Sequence, residues 1–292
     1  IEDDSGISCG LRLCGIVVPF FTEKERDAYP TAVFGKPLNR IQLEKEVPGI
    51  GSCWQAGLLF PQDGQIDNRR RLMRALEKAC VGLGVHFQEG VEVLELISQE
   101  GNLEGVIMRD DSGEMKTIRS NEAVLCCGAW SGQILNPLPV FPVKGQMFSL
   151  QAPRDALKRV IFGPGTYIVP REDGLIVVGA TSEPDAGFHE GLTPFGQKEL
   201  LDGITALLPN ARQWPPMERW WGFRPCTPDH APFLGSSSIE GLWLATGHYR
   251  NGVLFAAITA EMISTCLSRQ KLSKQFSQLL QAFGWERFKG KN

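Results

Sequence analysis

Residues 8–21 alternate between apolar and polar and then become continuously apolar, which predicts one or two short strands ending at Pro19. The polar stretch "TEKERDAY" reads as a short helix or turn. Turn signals at Pro61 and Asp63-Gly64 close the next apolar run. Asp67 then stands at a helix N-cap position, ahead of Leu72, Met73, Leu76, Ala79, Cys80 and Leu83 at helical spacing, and Gly84 supplies the stop. Val85–Phe87 and Val91–Leu96 read as strands, and "LEGVIMRDDSGEMKTI" as a hairpin around Asp111–Gly113. Ala123–Cys127 is a buried-type strand that runs into a glycine turn.

From Phe141 the pattern turns β-rich, with "FPVKGQMFSLQAP" followed by the hairpin "TYIVPREDGLIVVGAT", which turns near Asp173-Gly174. "FGQKELLDGITALLPNA" predicts an amphipathic helix ended by Pro209, and "RWWGFRPCTPDHAPFLG" an irregular strand. The run "GLWLATGHYRNGVLFAAITAEMISTCL" then predicts a strand over Leu242–Ala245, a glycine turn, and a last helix from about Val253 to Leu267. Gly247 and Gly252 allow a ligand close to the backbone. The helix start offers unpaired N–H groups and a positive dipole end, and Arg250 adds a fork that matches a carboxylate or phosphate. The order β-rich, α/β, β-rich, α/β argues for two discontinuous domains, each visited twice.

Composition narrows the reading. A chain of 292 residues has room for two domains, and its apolar and charged fractions are ordinary for a globular protein. A formal net charge of -3 provides no basic field, which argues against a nucleic-acid partner. No apolar run is long enough to span a bilayer, so no membrane role is expected. The eight cysteines are scattered and several fall inside apolar segments, which reads as buried free thiols in a reducing compartment, with the cytoplasm as the default. Four dispersed histidines assemble no metal-ligand spacing, so no metal is expected.

Four stretches could carry chemistry: "CCGAWSG", "TYIVP", "WWGFRP" and "TGHYRNGV". Singly, each has a plain structural reading: a strand tyrosine usually packs, and an arginine among aromatics often stacks. Together, two arginines in apolar, glycine-flanked surroundings suit capture of a small carboxylate, since burying such charges without an anion is costly.

These stretches, with "GLLFPQDGQIDNRRRLMRAL", "PVKGQMFSL" and "GFRPCTPDHAPFLG", resemble the D-amino-acid oxidase family of flavoproteins, most closely the glycine oxidases of thiamine biosynthesis. The resemblance implies an α/β (α+β) fold. A doubly wound FAD-binding domain (51–140 and 223–292) would be interleaved with an antiparallel β-sheet substrate domain (1–50 and 141–222). It implies FAD as cofactor, with a small amino acid and dioxygen as substrates. The products would be a 2-oxo acid, ammonia and hydrogen peroxide. By the same resemblance Arg224 holds the substrate carboxylate, Tyr167 helps to place it, and Arg250 lies beside the flavin. Val93 resembles the adenine contact. Cys127, Gly128 and Trp130 correspond to a flavin-lining turn, and Gly247, His248, Asn251, Gly252 and Val253 to the turn and helix start beneath the ring. No general base is nominated, because positioning and electrostatics account for the chemistry.

The chain departs from the family pattern at its start. The family opens with a strand and G-x-G-x-x-G, and neither occurs here. The nearest string, "PGIGSCW", has tryptophan at the third glycine position and no strand ahead of it, so it reads as a decoy. The expectation is therefore an N-terminally truncated oxidase lacking its first βαβ unit. A catalytically inactive C-terminal fragment is one alternative, and a sarcosine or imino-acid oxidase of the same fold is another. Cys226 lies too close to the T-P-D to match the cysteine that attaches flavin covalently in sarcosine oxidases, and reads as a structural thiol. Oligomeric state stays open, with a homo-oligomer compatible with the family.

Overall fold

The computed structural model describes residues 1–288 and divides into two compact units. Unit 1 holds residues 1–86, 145–182 and 190–222, and unit 2 holds 87–144, 183–189 and 223–292. In chain order the first unit begins α1 (Glu2–Ser5), β1 (Ile16–Phe20), α2 (Glu23–Asp27), β2 (Lys36–Asn39), α3 (Arg40–Glu46), β3 (Ala56–Phe60) and α4 (Met73–Gly82). The second unit follows with β4 (Val91–Gln99), β5 (Asn102–Asp110), β6 (Met115–Arg119), β7 (Ala123–Leu125) and α5 (Ser131–Ile134). Then come β8 (Phe141–Gln151), β9 (Val160–Phe162), β10 (Tyr167–Pro170), β11 (Leu175–Gly179), α6 (Pro194–Leu207) and β12 (Pro216–Cys226). The chain closes with β13 (Phe233–Ser236), β14 (Leu242–Thr246), α7 (Gly252–Leu267) and α8 (Lys274–Ala282).

Unit 1 is built on an eight-stranded sheet in the order β12-β8-β11-β10-β9-β1-β3-β2. All five residues of β11 are buried, as expected for a central strand covered on both faces. Helix α6 starts at Thr193, whose side chain accepts from Gly196 N, with Pro194 at the first helical position. Its Leu200, Ile204 and Leu207 pack into one core with Ile161, Ile168 and Ile176. Full burial of each such side chain stabilises by roughly 1.5–3 kcal/mol.

Unit 2 contains two three-stranded sheets. In β13-β14-β7 the central strand pairs antiparallel with β13 and parallel with β7. Leu125, Leu135, Leu138, Phe233, Leu242 and Leu244 form its core. The other sheet, β4-β5-β6, is an antiparallel meander with irregularities between Val93 and Glu95 and between Ile97 and Ser98.

Several expectations are corrected. Residues 51–86 group with unit 1 and not with 87–144, because β3 pairs with both β1 and β2 across Gly57 and Leu58. Val85–Phe87 forms no strand: it lies between two positive-φ glycines, Gly84 and Gly90, with Val85 and Phe87 about half exposed and no ladder partner among the described residues. The stretch 216–226 is a regular strand, and α8 follows what was read as the last helix. Asp67 does cap its helix, accepting from Arg70 N at 3.3 Å, but the first turn, Asn68–Leu72, is π-helical. The eight cysteines are free, yet only Cys9 and Cys226 are buried, while Cys53 and Cys126 are exposed. "PGIGSCW" follows a helix and Gly51 donates to Leu207 O, a packing role consistent with a decoy.

Among the described residues no helix is long and apolar enough to cross a membrane, and no group of three or more His, Cys, Asp or Glu could hold a metal ion.

Candidate functional site

In unit 2, β7 and β14 run parallel with Leu125 opposite Leu244 near their carboxyl ends. Ligands of open α/β sheets bind in the crevice outside such ends. Here each strand continues into a glycine turn. After β7 the chain makes a 3-10 turn over Gly128–Trp130, with Gly128 at φ 53. After β14 it passes Gly247 at φ 78 and enters α7 at Gly252.

Buried hydroxyls tie the two turns together. Thr246 Oγ1 donates to Gly128 O at 3.2 Å and lies 2.7 Å from Ser131 Oγ. A threonine hydroxyl has one proton to give, so Ser131 is the donor in the second bond. The end of β12 joins the same cluster: Tyr249 N donates to Pro225 O at 2.8 Å. A Cβ on Gly247 would stand 2.8 Å from Thr227 Cγ2, so only glycine allows this approach. Residues 127–131, 223–227 and 246–253 are thereby held side by side.

The half-buried Arg224 sits at this junction and donates from Nη1 to Lys144 O at 3.4 Å. Beside it Phe223, Trp130 and Phe188 form an aromatic trio with ring centroids 5.8, 5.4 and 5.3 Å apart. Lys144 itself is fully buried, with Nζ lacking a hydrogen-bond partner among the described residues and 4.0 Å from Glu183 Oε2. Sequence reasoning missed Lys144 and Phe188. A lysine inside the apolar run "FPVKGQMF" was the available signal for the first, whereas nothing local marked the second.

At the start of α7 the N-cap residue, Asn251, makes no side-chain cap, so among the described residues the positive end of the helix lacks its usual side-chain acceptor. Val253, Leu254 and Phe255 follow with exposed apolar side chains. Arg250 is exposed and makes no hydrogen bond or ion pair among the described residues. His248 Nε2 lies 3.0 Å from Thr259 Oγ1, and burial pushes its imidazole below the usual range, toward the neutral form. His248 thus fastens the turn to α7.

The structure therefore brings Cys127, Gly128, Trp130, Arg224, Gly247, His248, Asn251, Gly252 and Val253 into one region of unit 2. Val93 lies in a different sheet, opposite Met108 on β4. Tyr167 belongs to unit 1, on β10, where its hydroxyl donates to Met147 Sδ at 3.8 Å. A recess of about 770 Å3 in unit 2, lined by Trp243, Cys266, Arg269, Leu280 and Trp285, contains none of these residues.

Comparison with known proteins decides the family. A model of the DAO family, described as FAD dependent oxidoreductase, matches residues 1–265. The chain belongs to this family. Among similar members is the bifunctional protein ThiO/ThiG of Synechocystis sp., 40% identical over 293 residues, which cover 99% of this chain and 42% of that protein. Glycine oxidase of Pseudomonas aeruginosa is 34% identical over 243 residues, covering 80% of this chain and 65% of that one. Among solved structures, glycine oxidase from Geobacillus kaustophilus superposes with a TM-score of 0.87 at 27% identity, covering 99% of this chain and 79% of that one. The chain spans about two fifths of the length of the ThiO/ThiG proteins it matches. The structural match agrees with the expected DAO-type α/β fold.

Proposed function

We propose that this DAO-family chain binds FAD and acts in the oxidation of glycine or a similarly small amino acid to a 2-oxo acid, ammonia and hydrogen peroxide. The observation that carries the reading is the junction of three segments at the carboxyl ends of β7 and β14. There a half-buried arginine, two positive-φ glycines and an uncapped helix start stand together.

These residues fit a flavin. A Cβ on Gly128 would meet nothing within 4 Å, so the first turn leaves open space above its backbone. Trp130 and Val253–Phe255 offer apolar surface that a planar ring would cover. Cys127, Gly128, Trp130, Gly247, His248, Arg250, Asn251, Gly252 and Val253 would hold the ring. When bound, FAD supplies the two-electron acceptor for amine oxidation and passes the electrons to dioxygen.

The protein's own part is orientation and charge. Arg224 presents a planar fork to the substrate carboxylate, and the aromatic trio excludes water around it, which strengthens that pairing. The start of α7 favours negative charge next to it. His248, kept neutral by burial, adds no competing positive charge there. Family likeness supports Tyr167 as a second substrate contact and Val93 as an adenine contact. It also supports a substrate-domain role for residues 1–50, 145–182 and 190–222 of unit 1.

The test combines anaerobic glycine titration with steady-state kinetics of Arg224→Ala. Glycine is expected to bleach the flavin absorption of the purified protein. The variant should raise KM by about 100-fold, since a charge-assisted bidentate pair contributes roughly 3 kcal/mol. Flavin bands that resist glycine would remove glycine as substrate, and an unchanged KM would remove Arg224 from the role.

A further inference from the structure

Unit 1 contains a second concentration of charge that the proposed reaction does not use. A recess of about 60 Å3 is lined by Gly10, Arg12, Arg70, Arg71 and Arg171 together with Gln65, Asp67, Glu172 and Asp173. Its cations are all arginines, whose planar forks match the oxygens of a phosphate group. They come from three separate stretches: the strand-like segment before β1, the π-helical turn 68–72, and the β10–β11 hairpin.

The existing ion pairs around the recess are loose. Arg12 Nε lies 3.8 Å from Glu172 Oε1, Arg71 Nη1 lies 4.0 Å from Glu172 Oε2, and Arg71 Nε lies 4.0 Å from Asp67 Oδ2. Arg171 Nη2 stands 3.7 Å from Asp67 Oδ1, and Arg70 Nη1 stands 3.9 Å from Asp173 Oδ2. All exceed hydrogen-bond distance. Arg70 and Arg171 have other partners, Glu218 at 2.8 Å and Gln65, respectively. Arg12 and Arg71 donate no side-chain hydrogen bond among the described residues.

The carboxylates are unequal competitors. Asp67 already accepts from Arg70 N as a helix cap, and Asp173 accepts from Leu175 N at 3.0 Å. Glu172 is exposed and accepts no hydrogen bond among the described residues. Meanwhile Arg171, with a side chain 13% exposed, is pushed below its ordinary range by burial; Asp67 and Asp173 oppose that shift, and the neighbouring Arg70 and Arg71 add to it by repulsion. Bringing an anion between these guanidiniums relieves that repulsion. Gly10, at φ 67, brings the main chain close to Asp67 and Arg71, where a Cβ would stand 3.1 Å from Asp67 Cβ and 3.4 Å from Arg71 Cδ.

We propose that this recess is a binding site for a phosphate group, held by Arg12, Arg70, Arg71 and Arg171, with the Glu172 carboxylate as its internal competitor. The volume corresponds to about two water molecules, enough for one oxyanion and too small for the remainder of a larger ligand, which would extend into solvent. A phosphate dianion contacting two or three forks outcompetes the exposed Glu172 carboxylate, and its hold weakens as salt rises.

The experiment is calorimetric titration of the purified protein in low-ionic-strength chloride buffer, with inorganic phosphate in one arm and glycerol 3-phosphate in the other. Saturable one-site binding is expected in at least one arm. Arg71→Ala and Arg12→Ala should each weaken it tenfold or more, and Arg71→Lys should weaken it less than Arg71→Ala. Glu172→Gln should tighten it at least threefold. Tighter binding of the ester marks the site as a reader of phosphorylated metabolites, and equal binding marks free phosphate. Absence of saturable binding in both arms overturns the proposal. So does unchanged affinity in both Arg12→Ala and Arg71→Ala, whose thermal melts report whether they fold. Loss of stability in Glu172→Gln without tighter binding shows that the cluster is only an ion-pair brace.

Discussion

Gly247→Ala is the most demanding test of the junction between β14, β12 and α7. Two independent penalties act at this residue. Its φ of 78 lies in the left-handed region, where an L side chain costs about 1–2 kcal/mol. The new Cβ would also stand 2.8 Å from Thr227 Cγ2 and 3.6 Å from Phe233 N. Thr227 cannot yield cheaply: it is fully buried, and its hydroxyl donates to Ala231 O at 2.8 Å. Overpacking of this kind costs roughly 1–3 kcal/mol. The sum, about 2–5 kcal/mol, corresponds to a fall in melting temperature of roughly 4–20 °C at about 2–4 °C per kcal/mol. Two neighbouring glycines calibrate the result. Gly128→Ala meets the conformational penalty alone, at φ 53 with open space around the Cβ, and should cost about 1 kcal/mol. Gly252→Ala, inside α7 with its nearest contact an ordinary 3.5 Å to His248 Cβ, should be neutral or stabilise by about 0.5 kcal/mol. Thermal denaturation followed by circular dichroism ranks the three. If Gly247→Ala melts within error of Gly252→Ala, the close approach of the turn to Thr227 is wrong, and the junction with it.

Two further predictions follow from buried polar groups. Because burial lowers the His248 pKa below its unfolded value, the unfolded chain binds more protons in the interval between them. Its contribution to stability is present above the unfolded pKa, near 6.5, and is lost as pH falls through the folded value. Urea melts at pH 7 and pH 5 should show a steeper loss for the native sequence than for His248→Gln; equal slopes would show that the imidazole is not desolvated. For the pair Lys144 and Glu183, Glu183→Gln removes the carboxylate nearest a fully buried ammonium and should destabilise by about 3 kcal/mol. Lys144→Met, which keeps the volume and removes the buried amine, should cost less than that, and the reverse order in urea denaturation would contradict the pairing.

What the sequence determined by itself was local. The strand–turn–helix at 242–267, the cap at Asp67 with its stop at Gly84, and the hairpins at 111–113 and 173–174 rest on periodicity and on residues whose backbone preference acts within a few positions. Arg224, Arg250 and the glycine turns were visible for the same reason, as charged or Cβ-less residues in apolar surroundings. Tertiary structure decided the rest. Val85 and Phe87 carry the composition of a strand but have no neighbour to pair with among the described residues, and a strand exists only through its partners. Cys126 lies in an apolar run and is exposed, because burial depends on what packs against a segment and not on the segment alone. Ser131 and Thr246 meet across 115 positions and Arg171 meets Gln65 across 106, so which segments come together, at the junction in unit 2 or the arginine recess in unit 1, has no signature in adjacent residues. Contacts at such separation are set by how the sheets pair and the cores close, a choice made by the whole chain at once.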